Sequence, residues 1–304
     1  MTRGLALFYF LREADGTMAG LAFRIAVSFF AIALSAPPAF GQADERTVYA
    51  SVVDRDGEPV LDLTIKDFIV REDGAAREIV RVAKDDDPLQ IALLVDNSAV
   101  MRPRLTQLRK AAAAFVTATR DGVPITLITL AERPTIAVGY TAERAPLLKS
   151  IDQMFAFDAG NYLLDGIAET SQALAKRTLW RSAIAVITGI GPEMSYRQYT
   201  EVLRFFREGG ASLFVLQMGS GIGEQGREIV ISRGTSETGG RFEEVLSQGA
   251  LDMKARQLGT EISNQYRITY LRPVRLIPPK KTEVSVRRSN LNVRSRALAQ
   301  DKDR

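Results

Sequence analysis

Asp96 and Ser98 are the residues in this sequence whose types and spacing best suit chemistry. They stand in the turn Asp96-Asn97-Ser98, directly after the apolar run Ile91 to Val95. Such a run is typical of a central strand in a mostly parallel sheet that has helices on both faces. Ligands of these open sheets bind beyond the carboxyl ends of the strands. A carboxylate and a hydroxyl placed there could bind a hard cation such as Mg²⁺ or Ca²⁺.

The amino-acid composition excludes several other kinds of site. The chain of 304 residues contains no histidine and no cysteine. Catalysis by a Ser-His-Asp or Cys-His set, a zinc site with cysteine or histidine ligands, and disulfide bonds are therefore excluded. Any metal ion would have to be held by oxygen ligands.

Two further motifs favour structural roles over catalysis. Asp158 and Asp165 could form a carboxylate pair for acid-base work, but Asp165 is predicted to lie in the first turn of a helix, where negative charge is favoured. The glycine-rich stretch Gly219 to Gly226 lies between a predicted strand and a predicted helix, as a phosphate-binding loop would. It lacks the Gly-Lys-Ser/Thr sequence and the dinucleotide fingerprint spacing. We predict a flexible loop there and no catalytic residues.

The segments that must position Asp96 alternate between strands and helices from residue 88 to residue 263. The short turn between the second and third strands predicts that these two are antiparallel neighbours. The alternation as a whole predicts an α/β fold with a doubly wound, mostly parallel sheet of Rossmann type. The predicted strands are 89–96, 125–130, 135–138, 183–188, 212–217 and 241–245, and the predicted helices are 104–119, 145–154, 163–176, 196–208, 224–237 and 250–263.

The segments on either side, residues 42–87 and 264–297, are rich in short alternating strands. Asp56-Gly57 and Asp73-Gly74 are hairpin signals in the first segment. That segment ends in Asp85-Asp86-Asp87-Pro88, which predicts a solvated linker, although its carboxylates could also bind a cation. Each segment is too small to form a core alone. We therefore predict that they pair into one small β-rich companion domain.

Basic residues are concentrated near the carboxyl terminus. From Asn264 to the end there are 11 basic and 3 acidic residues, a net charge of +8, which leaves −4 for the preceding residues. A basic segment could contact nucleic acid, an anionic lipid surface or an acidic partner. Because these residues are spread along alternating segments, we predict solvated arginines on a strand pair, no nucleic-acid partner and a short tail at 298–304.

Residues 1–41 have the layout of a secretory signal peptide. The apolar core from Ile25 to Leu34 is too short to span a bilayer, and Ala39 and Gly41 are the small residues that signal peptidase requires. A start at Met18 would give this peptide conventional proportions. We predict cleavage near Gly41, export to the periplasm or the medium, and a mature chain without a transmembrane span. An uncleaved membrane anchor is the alternative.

Several short sequences, taken in order, resemble the von Willebrand factor A-related proteins that bacteria export. VVDRDGEPVLDLTIKDFIVREDG precedes IALLVDNSAVM, and GNYLLDGI, ETGGRFEEV and NQYRITYLRP follow. The resemblance covers nearly the whole mature chain. It implies a von Willebrand A domain at residues 88–263 with a β-rich segment on each side.

The resemblance also implies a metal-ion-dependent adhesion site. In that family an Asp-x-Ser-x-Ser turn, a threonine from a later loop and an aspartate after the fourth strand bind a divalent cation, which leaves one position for an acidic residue of the partner. Asp96 and Ser98 match the first two ligands. Val100 replaces the second serine, Asn161 stands at the threonine position and Gly189 at the second aspartate position. The metal ligands that remain are Asp96, Ser98 and Asn161, in a degenerate site.

A site with so few oxygen ligands should bind Mg²⁺ weakly, because its contacts do not offset the free energy of removing water from the ion. We therefore predict an exported, non-enzymatic protein-recognition module that works without a metal and binds a protein of unknown identity. Asp96 and Ser98 would then accept hydrogen bonds from loop amides, and Asn161 would cap the next helix. The alternative is an adhesion module that holds Mg²⁺ or Ca²⁺ with help from Asp158. In either case the predicted ligand-binding face comprises Asp96, Asn97, Ser98, Asp158, Asn161 and Gly189.

Overall fold

The computed structural model describes residues 43–84, 86–177, 181–274 and 278–296. The predicted signal peptide at 1–41, Asp85 of the predicted linker and the tail at 298–304 lie outside the described residues. Within the described ranges, no helix is long and apolar enough to cross a membrane. The chain from Asp44 onward forms one compact unit.

Six strands form the central sheet, and all of its pairings but one are parallel. Only β6 (Ile125–Thr129) and β7 (Thr135–Thr141) pair antiparallel, as the short turn between them predicts. The strand β5 (Leu89–Val95) lies at the centre and each of its residues is buried, because helices cover both faces. Across the sheet the order is β10 (Arg241–Val245), β9 (Ser212–Met218), β8 (Arg181–Gly189), β5 (Leu89–Val95), β6 (Ile125–Thr129) and β7 (Thr135–Thr141).

Two layers of α-helices sandwich this sheet. Alternate residues of β5 serve the two layers: Ile91 and Leu93 pack into one core and Ala92 and Leu94 into the other. The predicted doubly wound α/β fold is therefore confirmed. In the described part of the chain one layer consists of α1 (Leu105–Ala118), α2 (Arg144–Asp152) and α6 (Leu251–Ser263), and the other of α3 (Leu163–Ala175), α4 (Tyr199–Gly209) and α5 (Gln225–Thr238).

The helix predicted to start at residue 196 begins at Tyr199 instead. The backbone N–H groups of Tyr196 and Arg197 each donate to the Asp165 carboxylate at 3.1 Å. This contact with α3 holds the two residues in a loop ahead of the helix. A local sequence pattern could not reveal it, because the acceptor lies thirty-one positions away from Tyr196.

The flanking segments form two antiparallel sheets, one of four strands and one of three, and each sheet combines strands from both ends of the chain. Their shared core includes Phe68, Val70 and Ile268. The β-rich companion expected with this fold class is therefore confirmed. The order of the first sheet is β13 (Asn292–Ser295), β1 (Ala43–Val53), β11 (Tyr266–Pro273) and β4 (Ile79–Lys84), and the order of the second is β12 (Thr282–Val286), β2 (Phe68–Glu72) and β3 (Ala75–Arg77).

Two details of the first flanking segment differ from the predictions. Asp73-Gly74 closes the hairpin of β2 and β3, and both residues have the positive φ of a type I′ turn. Asp56-Gly57 forms the predicted turn, since Val53 and Pro59 form an antiparallel bridge around it and the Val60 N–H donates to the Val52 carbonyl at 2.9 Å, but β1 and β2 do not pair with each other because they lie in different sheets. Asp87 of the supposedly solvated linker is largely buried and accepts hydrogen bonds from Tyr49 (2.6 Å) and Arg267 (2.9 Å). The linker is thus fastened to β1 and β11.

Candidate functional site

Asp96 follows β5 at the carboxyl end of the central sheet, and hydrogen-bond donors surround its carboxylate. Oδ2 accepts from Asn161 Nδ2 at 2.9 Å, from Thr188 Oγ1 at 2.9 Å and from the Gly189 N–H at 3.1 Å. Oδ1 accepts from the Ser98 N–H at 3.0 Å. Asp96 is completely buried. Because a buried carboxylate is stable only when it is paired or hydrogen-bonded, these donors keep the charge inside the protein.

The two residues after Asp96 are also buried, and Asn97 joins three loops. Its Oδ1 accepts from the Ala131 N–H at 3.0 Å, and its Nδ2 donates to the Phe155 carbonyl at 3.1 Å. Ser98 precedes a short 3-10 helix, Ala99–Arg104, without making a side-chain cap. Of the two predicted acceptors of loop amides, Asp96 therefore has that role and the Ser98 hydroxyl shows no capping bond.

Asn161 lies at the point where three loops meet, although it does not cap a helix. Its Nδ2 donates to Thr188 Oγ1 at 3.0 Å as well as to Asp96. Its backbone N–H donates to the Pro192 carbonyl, and its carbonyl accepts from the Met194 N–H. The predicted capping role was wrong, because the N-cap of α3 is Tyr162. The amide N–H of Asn161 donates to the charged Asp96 carboxylate, whereas a cap would need the amide oxygen to accept from the helix, and that oxygen has no hydrogen-bond partner among the described residues.

The position of the family's second aspartate has no room for a side chain. A Cβ atom at Gly189 would lie 2.7 Å from Met101 Sδ and 3.3 Å from Val100 Cγ1. A Cβ atom at Gly191 would lie 3.1 Å from Val100. Val100 and Met101 thus fill with apolar atoms the space beside Asp96 in which the family places oxygen ligands.

This donor set does not fit a divalent cation. Asn161 presents an N–H group, and not its amide oxygen, to Asp96. A cation would have to displace three donors from Asp96 Oδ2, and Val100 and Gly189 offer no side-chain oxygen in exchange. In the ranges that the structure describes, no group of three or more acidic side chains is arranged to hold a metal ion. Hard cations require several oxygen ligands, which this arrangement does not provide.

Asp158 and Asp165 do not form a catalytic pair. The Asp158 side chain is 84% exposed and lies 3.4 Å from Arg102. Asp165 is buried in the first turn of α3, and its two oxygens accept the backbone hydrogens of Tyr196 and Arg197. One carboxylate is therefore solvated and the other positions a loop.

Arg227, which the sequence analysis missed, brings a buried positive charge to the loop after β8. Its Nη2 donates to the Gly189 carbonyl at 3.0 Å, and its Nη1 donates to Glu228 at 2.9 Å. The Gly189 residue therefore connects Arg227 to Asp96, through its carbonyl and its N–H. Burial raises the pKa of the neighbouring Glu193 carboxyl, although hydrogen bonds from Ser195 and the charge of Arg227 act in the opposite direction. No local motif marks Arg227, since it follows the glycine-rich stretch as an ordinary helix residue.

The loops at this end of the sheet expose five large apolar side chains, which the sequence analysis also missed. Half of the ten large apolar side chains that are exposed in the described chain lie on loops at this end of the sheet. Tyr196 is 85% exposed and Ile222 is 91% exposed. Apolar residues standing in predicted loops were the available signal. We call this surface the apolar face, and it consists of Phe155, Met194, Tyr196, Ile222 and Leu246.

These observations define a class of protein: a doubly wound α/β domain with a polar network at the carboxyl ends of its strands. Residues 91–192 match the family model described as von Willebrand factor type A domain. The chain therefore carries a von Willebrand factor type A domain.

Three solved structures are similar to this chain, and the first of them, with a TM-score above 0.5, shows the same fold. A von Willebrand factor type A protein from Catenulispora acidiphila aligns with 86% of this chain and 76% of its own, at 10% identity and a TM-score of 0.51. Proximal thread matrix protein 1 from the mussel byssus aligns with 64% of this chain and 49% of its own, at 15% identity and a TM-score of 0.49. The protein BatB from Bacteroides thetaiotaomicron aligns with 57% of this chain and 98% of its own, at 15% identity and a TM-score of 0.45. A search of curated proteins finds no match.

Proposed function

We propose that this protein is an exported, non-enzymatic recognition module that binds a protein partner through the apolar face, without a metal ion. The fold supports a protein-interaction role in general. The observation that carries the proposal is the group of exposed apolar side chains on loops around Asp96, where open α/β sheets bind their ligands. Large exposed apolar patches on folded proteins are typical of interaction sites.

The aromatic members of this surface suit protein recognition. Large side chains with few rotatable bonds dominate the binding energy of interfaces, and tyrosine is among the most enriched. Tyr196 packs beside Tyr162 with ring centroids 6.2 Å apart, and Phe155 packs beside Phe157 with centroids 4.6 Å apart. These contacts restrict the exposed rings before a partner binds, and less side-chain entropy is then lost on binding.

The network beneath the surface supports a rigid face. Asn97 and Asn161 tie the loops that carry Phe155 and Met194 to the end of β5. Asp165 holds the loop that carries Tyr196. In this arrangement Asp96 positions loops, and the cation of the family is replaced by hydrogen-bond donors of the chain. The absence of room at Gly189 supports the metal-independent form of the proposal.

Affinity capture from envelope extracts and culture medium of the source organism tests the proposal. The tagged mature chain is compared with a Tyr196→Ser/Ile222→Ser variant and with Ile136→Ser as a matched control, because Ile136 is 68% exposed on the edge strand β7. We expect the wild type and the control to retain the same partner with or without EDTA, and the double variant to lose it. Thermal unfolding of all three confirms that they fold.

Two results would overturn the proposal. Equal capture by the double variant would show that the apolar face is not the binding surface. Loss of the partner in EDTA, with recovery on adding Mg²⁺ or Ca²⁺, would favour the cation-dependent alternative at Asp96, Ser98, Asn161 and Asp158.

A further inference from the structure

A buried glutamine in the central sheet lies next to the Asp96 network. Gln217 belongs to β9 and pairs in parallel register with Thr188 of β8. Its side chain is completely buried, and neither its Oε1 nor its Nε2 has a hydrogen-bond partner in the part of the chain that the structure describes. A buried amide without partners is unfavourable, because folding removes the hydrogen bonds that it makes with solvent. An unpaired amide of this kind indicates a bound polar ligand.

The Gln217 side chain faces the helix layer of α3, α4 and α5. Val186 and Val215, two residues earlier in β8 and β9, pack into the core beneath that layer. Because side chains two positions apart in a strand point to the same face, Thr188 and Gln217 lie side by side on this face. The amide is therefore placed beside the hydroxyl group that donates to Asp96.

The polar groups around this amide are bonded to one another. Thr188 Oγ1 donates to Asp96 Oδ2 at 2.9 Å and accepts from Asn161 Nδ2 at 3.0 Å. Arg227, which is buried on α5, donates to the Gly189 carbonyl at 3.0 Å. These bonds hold the loops together at the end of β8, and none of them includes the amide on β9.

Two further acceptors in this region are unpaired among the described residues. They are Asn161 Oδ1 and Glu193 Oε2, and both atoms are buried. Asn161 is bonded to Thr188 through its Nδ2, and Glu193 lies within electrostatic reach of Arg227. Together with Gln217 the unpaired set contains three acceptor oxygens and one amide NH₂ group. A metal cation could not pair with the NH₂ group, and an anion could not pair with the oxygens. Water both donates and accepts, so it suits the whole set.

We propose that Asn161, Glu193 and Gln217 form a site that binds ordered water as a permanent part of the fold. Buried water molecules typically make about three hydrogen bonds to polar groups that otherwise lack partners. Water at this site links β9 to the loop before α3 and to the loop after β8. The site lies inside the protein and needs no partner protein, so it goes beyond the proposed recognition function and is tested independently of it.

A crystal structure of the mature chain, at a resolution that shows ordered water, tests this proposal. We expect a buried water molecule within about 2.7–3.2 Å of the Gln217 amide that also bonds to Asn161 Oδ1 or Glu193 Oε2. Density with oxygen contacts alone, at about 2.4 Å, would identify a cation. A Gln217 amide that pairs only with groups of the protein would need no ligand. Either of these two results overturns the proposal.

The direction in which Gln217→Met shifts the melting temperature is a second test. Methionine is also long and unbranched, but it lacks the amide. If water pairs with the amide, the substitution leaves the other polar groups of the site unpaired, and the melting temperature should fall by about 2–4 °C or more. If the amide has no ligand, the substitution removes an unfavourable buried group. An unchanged or raised melting temperature therefore overturns the proposal.

Gln198→Met is the matched control, because Gln198 is exposed and makes no side-chain cap at the start of α4. It should leave the melting temperature unchanged. A nuclear magnetic resonance measurement on the wild type covers the case in which Gln217→Met does not fold. A nuclear Overhauser effect between long-lived water and the Nε2 hydrogens of Gln217 supports the site, and its absence overturns the proposal.

Discussion

Asn161 donates from Nδ2 to Asp96 Oδ2 at 2.9 Å, and both side chains are buried. This hydrogen bond joins the loop before α3 to the end of β5. A charged acceptor makes the bond stronger than one between neutral groups. The pair is therefore a structural connection within the loops, at the position where the family resemblance implies a cation.

Replacing Asp96 with asparagine tests that structural role. Asp96→Asn keeps the size of the side chain but removes the charge and turns an N–H group toward existing donors. We expect the free energy of unfolding to fall by about 2–4 kcal/mol, measured by urea denaturation. Asp158→Asn is the control, because this exposed carboxylate should matter by less than about 0.5 kcal/mol. Equal effects of the two substitutions would contradict the assignment.

The close packing of side chains around Gly189 leads to a second prediction. Gly189→Ala places a Cβ atom 2.7 Å from Met101 Sδ, so we expect a loss of about 1–3 kcal/mol in stability from overpacking. Gly139→Ala is the control, since a Cβ atom there meets nothing within 4 Å. In a double-mutant cycle Met101→Ala should relieve part of the cost, with a coupling of about 0.5–3 kcal/mol. Additive effects in the cycle would show that Met101 does not cause the strain.

The sequence predicted the parts of this structure that depend on local pattern. The apolar run from Ile91 to Val95 identified the central strand because both of its faces are buried, and Asp96 was correctly predicted to accept loop amides. Thr188 was overlooked beside Gly189, and its bond to Asp96 connects residues ninety-two positions apart. Such contacts depend on which loops meet in space. No spacing rule within one segment contains that information.

The apolar face was missed for a different physical reason. An apolar side chain in a sequence predicts burial, so Phe155 or Ile222 could be assigned to the core as readily as to the surface. Their place in predicted loops was the available signal for exposure, but it competed with the preference of apolar side chains for the core. The metal ligands were assigned by their position in a family motif, whereas the orientation of the Asn161 amide depends on its neighbours.

Export from the cytoplasm is a third prediction. The mature protein should begin at about Gln42, as measured by mass spectrometry of material purified from a Gram-negative host. Ala39→Leu should block cleavage and leave precursor in the membrane fraction, because signal peptidase requires small residues at that position. Phe40→Leu, between the two small residues, should be cleaved normally. Full-length wild-type protein in the membrane would instead favour the uncleaved anchor.

The stability that Glu72 contributes should decrease at acidic pH. Burial acts to raise the pKa of Glu72, but hydrogen bonds from Arg272, Arg77 and Tyr270 outweigh it and the pKa is lowered. A carboxyl whose pKa is lower in the folded state than in the unfolded state stabilises the protein above the unfolded-state pKa. This stabilisation is lost as the pH falls through the folded-state pKa. Glu72→Gln should cost about 3–5 kcal/mol at pH 7, and the difference from wild type should shrink below about pH 4. Urea denaturation across pH 3–7 measures it, with exposed Glu283→Gln as the control.

Glu193 should show the opposite dependence on pH. Burial raises the pKa of this carboxyl, and its Oε2 has no hydrogen-bond partner in the described structure. The folded state therefore retains a proton that the unfolded chain releases, so the stability contributed by Glu193 falls as the pH rises from the unfolded pKa through the folded pKa. Relative to Glu193→Gln, the wild type should lose stability as the pH rises above about 4, the ordinary pKa of a glutamate, and urea denaturation from about pH 4 to pH 7 measures this. Glu208 is exposed, so the difference in stability between wild type and the control Glu208→Gln should not change with pH over the same range. If the stability of the wild type and of Glu193→Gln changed with pH in parallel, the buried carboxyl would not be protonated preferentially in the folded state.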